Sequence, residues 1–235
     1  MKGIREIIER MQVLLVLHDR VIWENAFSEG RLHTMKERIH QQQIENDWIN
    51  RNNLDRIMNQ NDRNFLQAPI EKIDRQLCSE RSFEIEAIQP LLWCCGLTDE
   101  LAPADQFVVH DFHPLLIGTS LDELCATASI RGKREITKKR DLCMLWNWRC
   151  RIGASLNSEK GDLLSSEIRK AFGTKAFINA RLLSVPKTDF LVRGTPFSKI
   201  SEEQRIMLER ASRWRYHAYE WVLNDESWYD TSTDT

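Results

Sequence analysis

Five residues near the C-terminus, Met207, Ala211, Trp214, Ala218 and Trp221, recur at alternating steps of four and three. That spacing puts them on one face of a helix, and a face with two indoles has to be covered by apolar surface from elsewhere in the chain. Ser201 and Gln204 form a capping-box pair that starts this helix. The stripe therefore demands other amphipathic helices to pack against. The N-terminus supplies one, because Ile4, Ile7, Ile8, Met11, Leu14, Leu15 and Ile22 keep helical spacing to about Ala26. His18 lies on the same stripe and reads as a partly buried histidine, since no second ligand stands four residues on.

Only nine Gly and six Pro occur in 235 residues, too few turn signals for an all-β chain. We expect a mostly α fold, a compact multi-helix single domain over residues 1–235. The polar helical segment 31–60 is its candidate subdomain. Phe83 to Cys95 predicts a central helix stopped by Gly96 and bent at Pro90, whose ring removes a backbone donor. Residues 98–118 lack periodicity and read as a loop. Ser120 and Glu123 make a second capping box, and residues 135–152 and 164–182 predict two further helices. One short two-stranded ribbon is expected, pairing about 106–110 with 189–193.

The formal net charge of −2 gives no global field for capturing nucleic acid, which is not expected as a partner. Arg131 to Arg140 holds six basic residues against one Glu, but no recognised nucleic-acid module surrounds it. We read it as a solvated helix start or as a patch facing the acidic C-terminal tail. Val13 to Leu17, the longest apolar run, is too short to span a bilayer, so no membrane is expected. The charged N-terminus does not read as a signal peptide, and six cysteines without a disulfide pattern fit a cytoplasmic protein.

His110-Asp111-Phe112-His113 places two imidazoles and a carboxylate within four residues. A zinc site needs more ligands than this run offers, and the cysteines lack paired spacing. These three residues stay weak candidates, and neither metal nor cofactor is expected. No nucleophile elbow, Walker loop or dinucleotide-binding glycine motif is present. Trp148 and Trp228 are the indoles expected to be semi-exposed.

Three stretches carry a resemblance. They are Glu86-Ala87-Ile88-Gln89-Pro90-Leu91-Leu92-Trp93-Cys94-Cys95-Gly96, then Asp189-Phe190-Leu191-Val192 with Gly194, Pro196 and Phe197 leading into Ser201-Glu202-Glu203. The last is Arg215, Ala218, Glu220 and Trp221 followed by Trp228 and Thr233-Asp234-Thr235. Together they resemble DUF4272, a bacterial family of unknown function with members of about this length. Trp214 stands where the family often has Glu, Cys94 where it has Ala, and Pro90 is unusual. The resemblance implies an identity and no activity, cofactor or catalytic residue.

Two functions are weighed from the sequence. The favoured one is a non-enzymatic cytoplasmic protein that binds another protein or its own copy as a homodimer. Arg215, Glu220, Trp228, Asp230, Asp234, Arg149 and Arg151 are its candidate residues. The other is an enzyme or small-ligand binder with a polar cleft near His110, His113, Arg149 and Arg151. A polar pocket on which Arg, His and Asp converge would favour the second.

Overall fold

The structure, a computed structural model, describes residues 1–31, 34–69, 72–108, 111–152 and 189–233. Helix α1 (Ile4–Ser28) is its spine. From Ile7 to Leu17 every residue is buried, polar ones included, so this helix is covered on all sides. Helices α2 (Met35–Arg51), α3 (Gln60–Gln67) and α4 (Arg75–Arg81) pack around its C-terminal half. Thr34 and Glu37 cap α2 reciprocally, as Ser120 and Glu123 cap α7 (Leu121–Thr127). Between them lie α5 (Ile88–Cys94) and the short α6 (His113–Leu116). Helix α8 (Lys133–Ile152) and helix α9 (Glu202–Leu223) form the most extensive helix pair. Ser201 and Gln204 make the expected capping box at the start of α9.

Among the described residues three apolar clusters result. The first joins the N-terminal half of α1 to α5, α6, α7 and the C-terminal half of α9. The second gathers Leu145, Trp146 and Cys150 of α8 with Phe190, Val192, Phe197 and Leu208. The third sets Val13, Leu17 and Val21 of α1 against Ile49, Leu54, Met58, Phe65 and Leu66. The polar segment 31–60 thus shares its core with α1. All six cysteines are free thiols. The basic start of α8 meets acids of the same chain: Arg131 reaches Asp99 at 2.5 Å and Arg140 reaches Glu220 at 2.8 Å. Two of the described tail acids go elsewhere. Asp225 pairs with the N-terminal ammonium at 3.4 Å, and Asp230 accepts from the Ser227 hydroxyl.

Several expectations need correction. The ribbon exists, but β1 (Leu191–Val192) pairs antiparallel with β2 (Thr195–Pro196), and among the described residues 106–108 do not join it. Arg193 and Gly194 both take positive φ, 48° and 83°, which suits a two-residue hairpin turn and makes the nearby strand the easier partner. Val108 instead donates its N–H to Glu86 Oε1 at 3.0 Å. The stretch around Pro90 is two pieces, a 3-10 turn (Glu84–Ala87) followed by α5. Pro90 therefore falls in the first turn of α5, where its missing N–H costs least. Gly96, at φ 65°, does stop α5, and a Cβ there would meet the Ser129 carbonyl oxygen at 3.0 Å. Met207 is exposed, and Leu208, Arg215 and Tyr219 extend the buried face of α9 instead. Trp148 and Trp228 are both buried. The helix expected over 164–182 lies outside the described residues.

Arg215 and Glu86 close the fold from within. The Arg215 guanidinium donates to Glu86 Oε2 at 2.8 and 2.5 Å, with both residues buried. Arg215 also donates to the carbonyls of Pro103 (3.1 Å) and Gln106 (2.5 Å). Removing one member of such a pair strands a buried charge, at a cost of about 3–5 kcal/mol. Glu86→Ala should therefore lower unfolding stability by roughly that amount, measured by denaturant titration. Glu86→Leu combined with Arg215→Met should recover much of the loss.

Candidate functional site

Sequence reasoning placed a cleft near His113, Arg149 and Arg151. The structure does not bring these residues together. His113 begins α6, and its ring spans two carboxylates: Nδ1 lies 2.7 Å from Asp111 Oδ1 and Nε2 2.8 Å from Asp19 Oδ1. Burial opposes a charged imidazole here, but Asp19 and Asp111 outweigh it and raise the His113 pKa. With both nitrogens engaged, this ring acts as a clip between α1 and α6 and offers neither nitrogen to a substrate. His18, nearby on α1, is held neutral, its pKa lowered to about 4 by burial and by the His113 charge. His110 and Asp234 lie outside the described residues. Among the described residues no group of three His, Cys, Asp or Glu is arranged to hold a metal ion.

Arg149 belongs to the second cluster. Its guanidinium donates to Asp189 at 3.0 and 3.3 Å and lies over the Phe197 ring. Asp189 also accepts the backbone N–H groups of Phe190 and Ser198. Burial works against that carboxylate, but Arg149 and the Ser198 N–H outweigh it and lower its pKa. Arg151 is exposed on α8, and Asp230 is exposed in the tail. Glu220 pairs with Arg140 and accepts from Asn224 Nδ2 at 2.9 Å. Of these candidates, Arg149 and Glu220 tie elements of the fold together.

The tail does not leave Trp228 semi-exposed as expected. After Asn224 it turns back and inserts Trp228 among the rings of α9. That indole stacks with Trp214 (centroids 6.2 Å) and meets His217 (4.4 Å) and Trp221 (5.2 Å) edge to face. The Arg10 guanidinium of α1 lies 5.3 Å from its ring. Burial holds His217 neutral, lowering its pKa to about 4.

Beside Trp228 the chain builds a pocket that sequence reasoning missed. It has a volume of about 100 Å³ and is lined by Arg10, Leu17, Asn59, Asn61, Asp62, Arg81, Glu84, Trp214, Trp228 and Tyr229. Each wall has a local cause. Asn59 caps α3 by accepting from the Asp62 N–H at 2.8 Å, which fixes Asp62 in the first turn. Arg81, in the last turn of α4, donates to Asp62 Oδ1 at 2.9 Å and to Glu84 Oε1 at 3.5 Å, and lies over Phe65. The Tyr229 hydroxyl accepts from Arg10 Nη1 and from the Asn59 N–H, both at 3.0 Å, and donates to Asp62. Burial raises the Glu84 pKa to about 7, against the opposing pull of Arg81. Arg10 Nε, Arg81 Nε and Trp214 Nε1 are buried donors with no acceptor. No short motif marks this site, because its residues come from α1, α3, α4, α9 and the tail.

Two outcomes follow from this geometry. Trp228→Ala should destabilise the isolated chain by about 3–5 kcal/mol, as truncation of a buried aromatic does, whereas a partner anchor would leave stability unchanged. Chemical denaturation checks this. For His217 the sign follows from its lowered pKa. Stability is complete above the unfolded value near 6.5 and declines as pH falls toward 4, because the unfolded chain then binds the proton. The decline should be on the order of 3 kcal/mol for this group and should shrink in His217→Gln, measured by denaturant midpoints at pH 7 and pH 4.5.

No curated protein and no solved structure matches the chain. A family model described as a domain of unknown function, DUF4272, matches residues 1–168. That range contains the Glu86–Gly96 stretch and the pocket residues from Arg10 to Glu84, and it ends before the two C-terminal stretches that also carry the resemblance. With 168 of its 235 residues inside the match, the chain belongs to the DUF4272 family.

Proposed function

We propose that this protein binds a small polar ligand in the pocket between α1, α3, α4 and the C-terminal tail. One observation carries the reading: two arginines, an aspartate, a tyrosine hydroxyl and two indoles converge there around donors that lack acceptors. A pocket combining an apolar wall with a few placed polar groups is the usual form of a ligand site. At about 100 Å³ it suits a small molecule, or one end of a larger one. The six free thiols, most of them buried, support a reducing, cytoplasmic setting for this activity.

The test is a fragment screen read by the indole N–H resonances of Trp214 and Trp228. Ligands that enter the pocket should shift both in a saturable way. Asn61→Trp, which fills the mouth from an exposed position, should abolish those shifts without unfolding the chain. Saturable shifts that persist in Asn61→Trp would place binding elsewhere and overturn the reading.

A second reading, binding to another protein or to a second copy, has its own observation. Ile39 on α2 is 58% exposed and shares a helix face with Asn46 and Asn50. Those residues border a cleft of about 260 Å³ with Ile49, Met58 and Leu66 among its lining residues. Ile39→Lys would weaken self-association in sedimentation experiments if that face were the contact.

A further inference from the structure

The pocket's polar groups are unevenly matched, and this mismatch identifies a ligand class. Its carboxylates and its phenol already accept hydrogen bonds. Asp62 takes bonds from Arg81 and Tyr229, Glu84 takes one from Arg81, and the Tyr229 oxygen takes two. Its donors are in surplus, since Arg10 Nε, Arg81 Nε and Trp214 Nε1 have no acceptor although their side chains line the cavity. Arg10 itself is 5% exposed. Buried donors without partners are costly, so the site is short of an acceptor.

The charge balance points the same way. Glu84 is faced by Arg81 of α4, Asp62 of α3, Arg10 of α1 and Arg213 of α9. The cavity itself is lined by two guanidinium groups and two carboxyl groups, with the exposed Arg213 outside it. Its charge balances with both acids ionised and turns cationic when Glu84 carries its proton.

Resting on the ligand-binding reading above, we infer that the pocket takes an oxyanion, a phosphate- or sulfate-like group, and that Glu84 takes up a proton as the anion enters. The cavity has room for the anionic head alone, so it fits either a free inorganic anion or the charged end of a larger molecule. An anion beside Glu84 disfavours its charged form, and burial has already moved its pKa to about 7. Anion binding and Glu84 protonation therefore favour one another by linkage.

Sulfate tests this, because it does not itself titrate between pH 6 and 8. Titrating the protein with sodium sulfate at constant ionic strength should shift the Trp214 indole resonance saturably. Affinity should be up to about tenfold weaker at pH 8 than at pH 6, as expected when one proton is linked to binding. Glu84→Gln should bind with the pH dependence removed. Arg213→Gln, altered at an exposed position, should bind a few-fold more weakly. Inorganic phosphate and glycerol phosphate separate the sources: tighter binding of the ester indicates the head of a larger molecule, and tighter binding of the free ion indicates the inorganic anion. Equal sulfate affinity at pH 6 and pH 8 would overturn the proton coupling. Saturable shifts with glycerol or urea but none with sulfate or phosphate would overturn the oxyanion and leave the general reading standing. No shift with any of them would overturn both.

Discussion

The fold depends on one buried ion pair. Glu86 closes the 3-10 turn before α5, and Arg215 lies in the second half of α9. Desolvating both charges is expensive, and their attraction offsets that cost only when the remaining donors and acceptors are also satisfied. Here they are: Glu86 Oε1 accepts from Val108, while Arg215 donates to the Pro103 and Gln106 carbonyls. The pair therefore orders a loop with no regular structure of its own. It also fixes the rotation of α9 about its axis. With Arg215 locked inward, Ala218 and Trp221 face the first cluster and Trp214 faces the tail.

A similar device orders the hairpin. Asp189 accepts from Arg149 and from two backbone N–H groups, so the few residues of β1 and β2 are held by a buried carboxylate rather than by their short ladder. A two-stranded ribbon alone is marginal. Burying the Arg149 guanidinium over Phe197 adds an apolar reason for it to stay. Two of the three stretches that resemble the family contribute an acid to these pairs, and the third contributes Arg215. Such residues report on how the chain is closed, which is why recognising them revealed a family and no chemistry.

Much of the fold was legible in the sequence because helical periodicity is a local signal. The stripes of α1 and α9 and the two named capping boxes stand within a few residues of one another. The ribbon's true partner was also locally encoded, since Arg193-Gly194 has the length and glycine of a hairpin turn, but a match of apolar triplets hid it. The pocket was legible nowhere. Arg10 sits among the charged residues of a helix read only for its apolar stripe, and Asp62 and Glu84 look like ordinary surface acids. Their convergence depends on contacts such as Tyr229 to Asp62, 167 residues apart. Only Trp228 pointed in this direction, and it was expected to be semi-exposed, because an indole after the end of a helix gives no sign of folding back upon it.

That fold-back gives the tail two tasks at once. Trp228 locks the end of α9 to α1 through Arg10, and Tyr229 on the next residue holds the same arginine while it lines the cavity. A group bound between Arg10, Arg81 and Trp214 would contact only the chain with its tail docked. By mass action, anything that binds one state stabilises that state, so an occupied pocket would hold the tail more firmly. The reverse follows from the same linkage: a chain that loses its tail contacts loses both indole and phenol from the pocket wall, and with them the geometry on which any affinity rests. Under the proposed ligand-binding reading, tail docking and binding are linked equilibria that share Arg10.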